Sequence, residues 1–342
     1  MDIHWLSDES HVLLNPRMPR EDESRLRSFV IDLPGHVWLA TSGTTGALKL
    51  TALSKRAVLA SAAAVNRHLE ARASDVWCCV LPTFHVGGLG IHARAYLSGS
   101  RVVTDTWDAR RFAAMEDVTL SALVPAQVSD LVRAGLHAPN ALRAIVVGGG
   151  ALSEELYGAG WELGWPLLPS YGMTECASQA ATARPGSPEL ILLDHLEARS
   201  EEGRLAFRGE SLLTGYGMEG GFIDPKVDGW FVTEDLGRID GRVLRVEGRR
   251  GDFIKIGGES VDLSRLDALA GPHAAVIAVP DERLGHVIHL VVEASADVEN
   301  VAREYDARVH PFERARRVHF VEKLPRTALG KLIRTQLPKI AE

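Results

Sequence analysis

From Val37 onward, short apolar runs alternate with longer stretches in which apolar residues recur at helical spacing. Residues 37–40 read as a buried strand leading into a loop of glycines and threonines. Residues 53–69 follow as an amphipathic helix, and residues 77–81 as a second buried strand. The rhythm repeats in the apolar segment at 121–124, the helical pattern at 127–134 and the strand at 144–147, which ends in Gly148, Gly149 and Gly150. Alternation of this kind predicts an α/β fold around a mostly parallel sheet. After Pro185 the chain breaks into short alternating segments separated by glycine and charged residues, which predicts a small barrel or meander packed on the first part. From about Gly248 a last set of strand signals, with one helical stretch at 263–269, predicts a separate α+β domain. No internal repeat or low-complexity segment interrupts this plan.

A length of 342 residues suits two domains. We expect an N-terminal core over residues 1–247, with mostly parallel sheets and a small β subdomain, and a smaller C-terminal domain over residues 248–342. The composition, 46% hydrophobic and 24% charged, is that of a folded globular chain. A net charge of -7 does nothing to attract a nucleic-acid backbone, so any anionic ligand must be held locally. The three cysteines, Cys78, Cys79 and Cys176, form no CxxC or Cys/His ligand spacing, and a reducing, cytoplasmic setting is expected. No signal peptide and no uninterrupted apolar run long enough for a membrane span is read from the sequence.

The chemistry concentrates first in Thr41-Ser42-Gly43-Thr44-Thr45-Gly46-Ala47-Leu48-Lys49, between the first strand and the first helix. Glycines let a backbone approach phosphates closely, hydroxyls add donors, and a lysine supplies a mobile positive charge. Composition alone also allows a plain surface loop. The Walker pattern, which requires Gly-Lys-Ser/Thr, is absent. The order of the residues resembles the phosphate loop of the acyl-adenylating superfamily, which includes acyl-CoA synthetases and luciferases. Where that loop usually ends Pro-Lys-Gly, this chain has Leu48-Lys49-Leu50.

Further segments resemble the same superfamily in the same order, from about Val37 to Leu337. LPTFHVGGL resembles its acyl-pocket segment, which implies that Phe84 and His85 line the site, His85 near the reacting carboxylate. SYGMTE resembles its adenylate-binding motif: Ser170, Tyr171 and Gly172 would bind the nucleotide, Tyr171 by stacking on adenine, Thr174 would contact the phosphate, and Glu175 would hold Mg²⁺. Gly148, Gly149 and Gly150 would flank the other face of the base. GWFVTEDLGRID resembles the ribose motif, placing the diol-binding carboxylate on Asp235, with Glu234 where a glycine is usual. The resemblance further implies Arg249 at the ribose, a hinge at Gly251, a thioester-facing stretch at residues 257–260, and a mobile C-terminal domain whose Lys331 serves adenylation. Each residue also has a plainer reading, as a structural histidine, a strand-to-helix turn or a solvated charge.

The implied reaction consumes ATP with Mg²⁺ to form an acyl-AMP, then passes the acyl group to coenzyme A. No protein nucleophile is needed. LVPAQVSDLV resembles a segment of the o-succinylbenzoate-CoA ligases of menaquinone biosynthesis, with Gln127 in the matching place. Arg94 matches the arginine that serves the non-reacting carboxylate there, a fitting partner for a dicarboxylate. The early position of the phosphate loop matches short ligases of this type and leaves the first subdomain truncated; a homodimer or repacking would cover the exposed sheet. A ligase for another aryl or acyl acid, and a non-catalytic acyl-AMP-binding regulator, remain the alternatives.

Overall fold

The structure is a computed structural model that describes residues 3–42, 48–150, 152–249, 253–271, 273–294, 297–325 and 337. Gly43, Thr44, Thr45, Gly251 and Lys331 lie outside the described residues, and so do the side chains of Ser42 and Arg249. The described residues form two compact units, one ending at residue 249 and the other beginning at residue 253.

The first unit is built on a sheet of 11 strands. Five of them, Arg101–Thr104, Val76–Cys79, Leu120–Leu123, Ala144–Val147 and Leu167–Met173, lie side by side in parallel. The helices Val86–Ser98, Ala109–Ala113, Pro125–Arg133 and Glu154–Glu162 are the crossovers that parallel pairing demands. These strands are apolar on both faces because each face meets its own core. Trp77, Cys79, Leu120, Ala122, Ala144 and Val146 go to one side, while Cys78, Leu123, Ile145 and Val147 go to the other.

Beyond Met173 the same sheet turns antiparallel, through Ser178–Thr182, Leu190–Leu192, Val243–Arg249, Phe231–Asp240, Arg204–Gly209 and Leu196–Glu201. Parallel pairing is therefore narrower than the expected largely parallel sheet. Later connections are too short to cross over: Glu202 and Gly203 alone join two strands, with φ of 50° and 79°. Most strands of the expected small barrel or meander run antiparallel and continue the main sheet, because Leu190–Leu192 bonds to strands on both sides.

A second sheet of five strands contains His36–Ser42, Leu48–Ser54 and Gly215–Met218 side by side. The helix expected from Leu53 begins at Lys55. Residues 48–54 form a strand whose Leu48, Leu50 and Ala52 share one core, and the Ser54 hydroxyl caps the helix by accepting from Ala57 N at 3.0 Å. The second unit packs the helices Leu263–Ala270 and Val298–Arg308 with the sheet Ala274–Asp281, Gly285–Glu293 and Ala315–Val321 around a core of its own.

Candidate active site

Residues 170–178 form the end of the last parallel strand, a 3₁₀ turn over Thr174–Cys176 and the start of the first antiparallel strand. The chain doubles back so tightly that a Cβ on Gly172 would stand 1.8 Å from the Ser178 carbonyl oxygen. A bulge separates Tyr171 from Gly172, and the non-glycine residues Ala177 and Ser178 carry φ of 53° and 119°. Backbone in such regions costs about 1–3 kcal/mol per residue and persists where its surroundings over-determine it. Here the crowded segment touches four of the clusters read from the sequence.

At its first residue, the Ser170 hydroxyl donates to the Val147 carbonyl at 3.0 Å, and a Cβ on Gly148 would lie 3.0 Å from that hydroxyl oxygen. Gly148, with Gly149 and Gly150 beyond it, thus lies past the carboxyl ends of the parallel strands, where open α/β sheets bind ligands. Gly149 has the positive φ, 80°, that turns the chain there. Next, the Tyr171 hydroxyl donates to Asp235 Oδ2 at 2.7 Å. Burial, and then the charge of Asp235, push the Tyr171 phenol well above its ordinary pKa. Asp235 faces Arg249 across an antiparallel pair of strands, and Glu234 lies 3.6 Å from Arg204.

Thr174 opens the turn, its carbonyl accepting from Ala177 N at 3.0 Å, and Glu175 follows. Glu175 Oε1 accepts from the Tyr216 hydroxyl at 2.7 Å and lies 3.8 Å from Lys49 Nζ. That ammonium also sits 3.4 Å from the centre of the Tyr216 ring. Strand pairing explains the meeting: Lys49 lies opposite Thr41 on one side and Met218 on the other, two residues from Tyr216. Thr41 Oγ1 is held 3.1 Å from Thr51 Oγ1.

At the end of the segment, the Ser178 hydroxyl accepts from Arg94 Nη2 at 3.2 Å. Arg94 is 1% exposed, and its Nε and Nη1 are buried without a hydrogen-bond partner. Among the described residues no acidic side chain forms an ion pair with it. Burial lowers its pKa to about 10, which still leaves a cation at neutral pH. Space for the guanidinium comes from Gly90, where a Cβ would lie 3.0 Å from Nη2.

The remaining expected residues are positioned by their own elements. Phe84 and His85 pack with ring centres 4.7 Å apart just before the helix that carries Arg94. Gln127 is 8% exposed, and its Oε1 accepts from Val124 N at 3.0 Å, closing the first turn of its own helix. Two residues of the constellation went unread in the sequence. Tyr216, between two glycines in a strand-and-turn stretch, carried only the weak signal of an isolated aromatic. Ser178 carried none. Among the described residues no group of three or more His, Cys, Asp and Glu is arranged to hold a metal ion.

Residues 37–216 match the family described as AMP-binding enzyme, and residues 271–331 match the AMP-binding enzyme C-terminal domain. The chain is 30% identical to a 2-succinylbenzoate–CoA ligase of Bacillus licheniformis over 87% of its own length and 68% of that protein. It is 32% identical to the ligase of the same description from Geobacillus kaustophilus, covering 88% of this chain and 68% of that one. Among solved structures it is similar to a double mutant of o-succinylbenzoate CoA synthetase from Bacillus subtilis bound with its product analogue, at a TM-score of 0.78 and 26% identity. That match covers 88% of this chain and 68% of the other. An amide bond synthetase from Marinactinospora thermotolerans, 24% identical with a TM-score of 0.76 over 89% of this chain and 69% of its own, shares the fold.

Proposed function

Because this chain belongs to the AMP-binding enzyme family, we propose that it is an ATP-dependent, AMP-forming acid–thiol ligase that converts o-succinylbenzoate into its coenzyme A thioester. The observation that carries the choice of acid is Arg94, a wholly buried cation whose only described hydrogen-bond acceptor is the neutral Ser178 hydroxyl. A buried charge left without a counter-ion is costly in a lone protein, and a ligand that carries a second carboxylate relieves that cost. The names of the relatives support the same acid.

In the first half-reaction a carboxylate oxygen of the acid attacks the α-phosphorus of ATP, forming acyl-AMP and releasing pyrophosphate. In the second, the coenzyme A thiol attacks the acyl carbonyl and AMP leaves. The chain's task is to position and to stabilise charge, so no covalent intermediate with a side chain is required. Lys49 and the residues Thr41, Ser42, Gly43, Thr44 and Thr45 would face the phosphates, with Thr174 at the α-phosphate. Tyr171 and Gly148 to Gly150 would enclose the adenine, and Ser170 and Gly172 would shape that pocket. Asp235, which accepts from the Tyr171 hydroxyl, would accept from the ribose diol through its carboxylate, beside Arg249. His85 and Phe84 would border the reacting carboxylate, with Gln127 lining the acid's pocket and Lys331 supplying a cation during adenylation.

A magnesium ion fits Glu175. Mg²⁺ is usually held by one or two carboxylates with substrate phosphates and water, and Glu175 has one oxygen engaged by Tyr216 and another left over. When bound, the ion would neutralise phosphate charge; Glu175 would hold it in reach of Thr174. Use of ATP and coenzyme A, together with three free, buried cysteines, favours a cytoplasmic setting. Among the described residues no helix is long and apolar enough to cross a membrane.

The test is release of AMP and pyrophosphate that depends on ATP, Mg²⁺ and coenzyme A, with o-succinylbenzoate compared with benzoate and a fatty acid. A strong preference for o-succinylbenzoate is expected. Arg94→Ala should raise the KM for o-succinylbenzoate by roughly 10-fold or more while leaving that for a monocarboxylate little changed. An equal effect on both acids would remove the dicarboxylate assignment.

A further inference from the structure

Tyr216 stands between two charges that the proposed reaction needs. Its strand, Gly215–Met218, is fixed in register against Leu48–Ser54. A Cβ on Gly215 would lie 2.5 Å from the Phe222 ring, and one on Gly217 would lie 2.4 Å from the Phe29 carbonyl oxygen. The side chain is 9% exposed and packs in the main core, so the ring cannot swing away without opening that core. One face of the ring receives Lys49 Nζ at 3.4 Å, and the hydroxyl donates to Glu175 Oε1 at 2.7 Å.

The distance between the two ions is as informative as the contacts. Lys49 Nζ and Glu175 Oε1 are 3.8 Å apart, well beyond the roughly 2.7–2.9 Å of a charge-assisted hydrogen bond. A tight pair would have to be broken before either group could meet a phosphate or a cation. Here the phenol takes the place of that bond: the ring holds the ammonium, and the hydroxyl fixes one carboxylate oxygen. Outer partners of this kind orient ligating carboxylates, and their loss typically weakens metal binding by roughly 10- to 100-fold.

We infer that Tyr216 is a positioning residue that sets both the cation-binding carboxylate and the phosphate-facing ammonium for the magnesium nucleotide. The inference rests on the proposed roles of Glu175 and Lys49. It is tested by calorimetry on the full chain, measuring binding of α,β-methylene-ATP with Mg²⁺ and with EDTA, in Tyr216→Phe, Tyr216→Leu and Glu175→Gln.

Tyr216→Phe keeps the ring and loses the hydroxyl. It should cut the gain in nucleotide affinity due to Mg²⁺ by roughly 10-fold, with no change in EDTA and no change in the thermal midpoint. Tyr216→Leu should weaken binding in EDTA as well. A wild-type Mg²⁺ gain in Tyr216→Phe, together with a lost gain in Glu175→Gln, would overturn the role of Tyr216 and leave Glu175 in place. A wild-type gain in Glu175→Gln would overturn the assignment of Glu175 and, with it, this inference. Should Tyr216→Leu fold and bind in EDTA as wild type does, the ammonium half is overturned; should it fail to fold, Tyr216→Met, which also removes the ring, takes its place in that comparison.

Discussion

Arg94 is held where the folded chain gains least from it. A guanidinium with two buried nitrogens unpaired weakens the fold, so Arg94→Met, which fills similar space without a charge, should raise the unfolding free energy by about 1–3 kcal/mol. Denaturant titration checks this, and the same variant should lose its preference for o-succinylbenzoate. Tyr171 gives a prediction in pH. Its folded pKa is raised, so the folded chain binds that proton more tightly than the unfolded chain. The stabilisation is complete below about pH 10, the ordinary tyrosine value, and is lost as pH rises from there towards the folded value. The stability advantage of wild type over Tyr171→Phe should therefore shrink above pH 10, as followed by urea unfolding across pH. At this scale the resemblance to the superfamily pointed to Arg94, Tyr171 and Asp235, which the structure sets around residues 170–178. The sequence did not show Ser178 or Tyr216, whose importance comes from what strand pairing sets beside them.

The element that organises these residues is the doubled-back segment at 170–178. Its crowding allows no side chain at Gly172, so Gly172→Ala must push apart two strands that carry Tyr171 on one side and Ser178 on the other. A cost of about 2–4 kcal/mol is expected by thermal denaturation, with larger losses in activity than the stability change explains. Elements of clear period were legible: the runs at 77–81 and 144–147 stand out because both faces are buried. The strand Leu48–Ser54 was not, since Leu53 carries the apolar pattern across its end into the helix, and only the cap at Ser54 marks the boundary. Short strands were recognised after Pro185, though not at Ser178–Thr182. Their continuity with the main sheet was not, because hydrogen bonding between distant segments leaves no local trace.

At the scale of the molecule, the cores of the two units share no residue. Calorimetry should therefore resolve two unfolding transitions, and AMP, whose proposed contacts lie mainly in the first unit, should raise that unit's transition more than the other. The partner strand of Lys49 has a further consequence. Leu48–Ser54 pairs with Gly215–Met218, so the lysine leaves the ribosome long before the tyrosine it rests on. At about 5–20 residues per second, the wait is on the order of ten seconds. For most of it, the segment holding Lys49 has neither that ring nor the carboxylate of Glu175, so on the proposed role a growing chain would not engage nucleotide there until most of its first unit has been made.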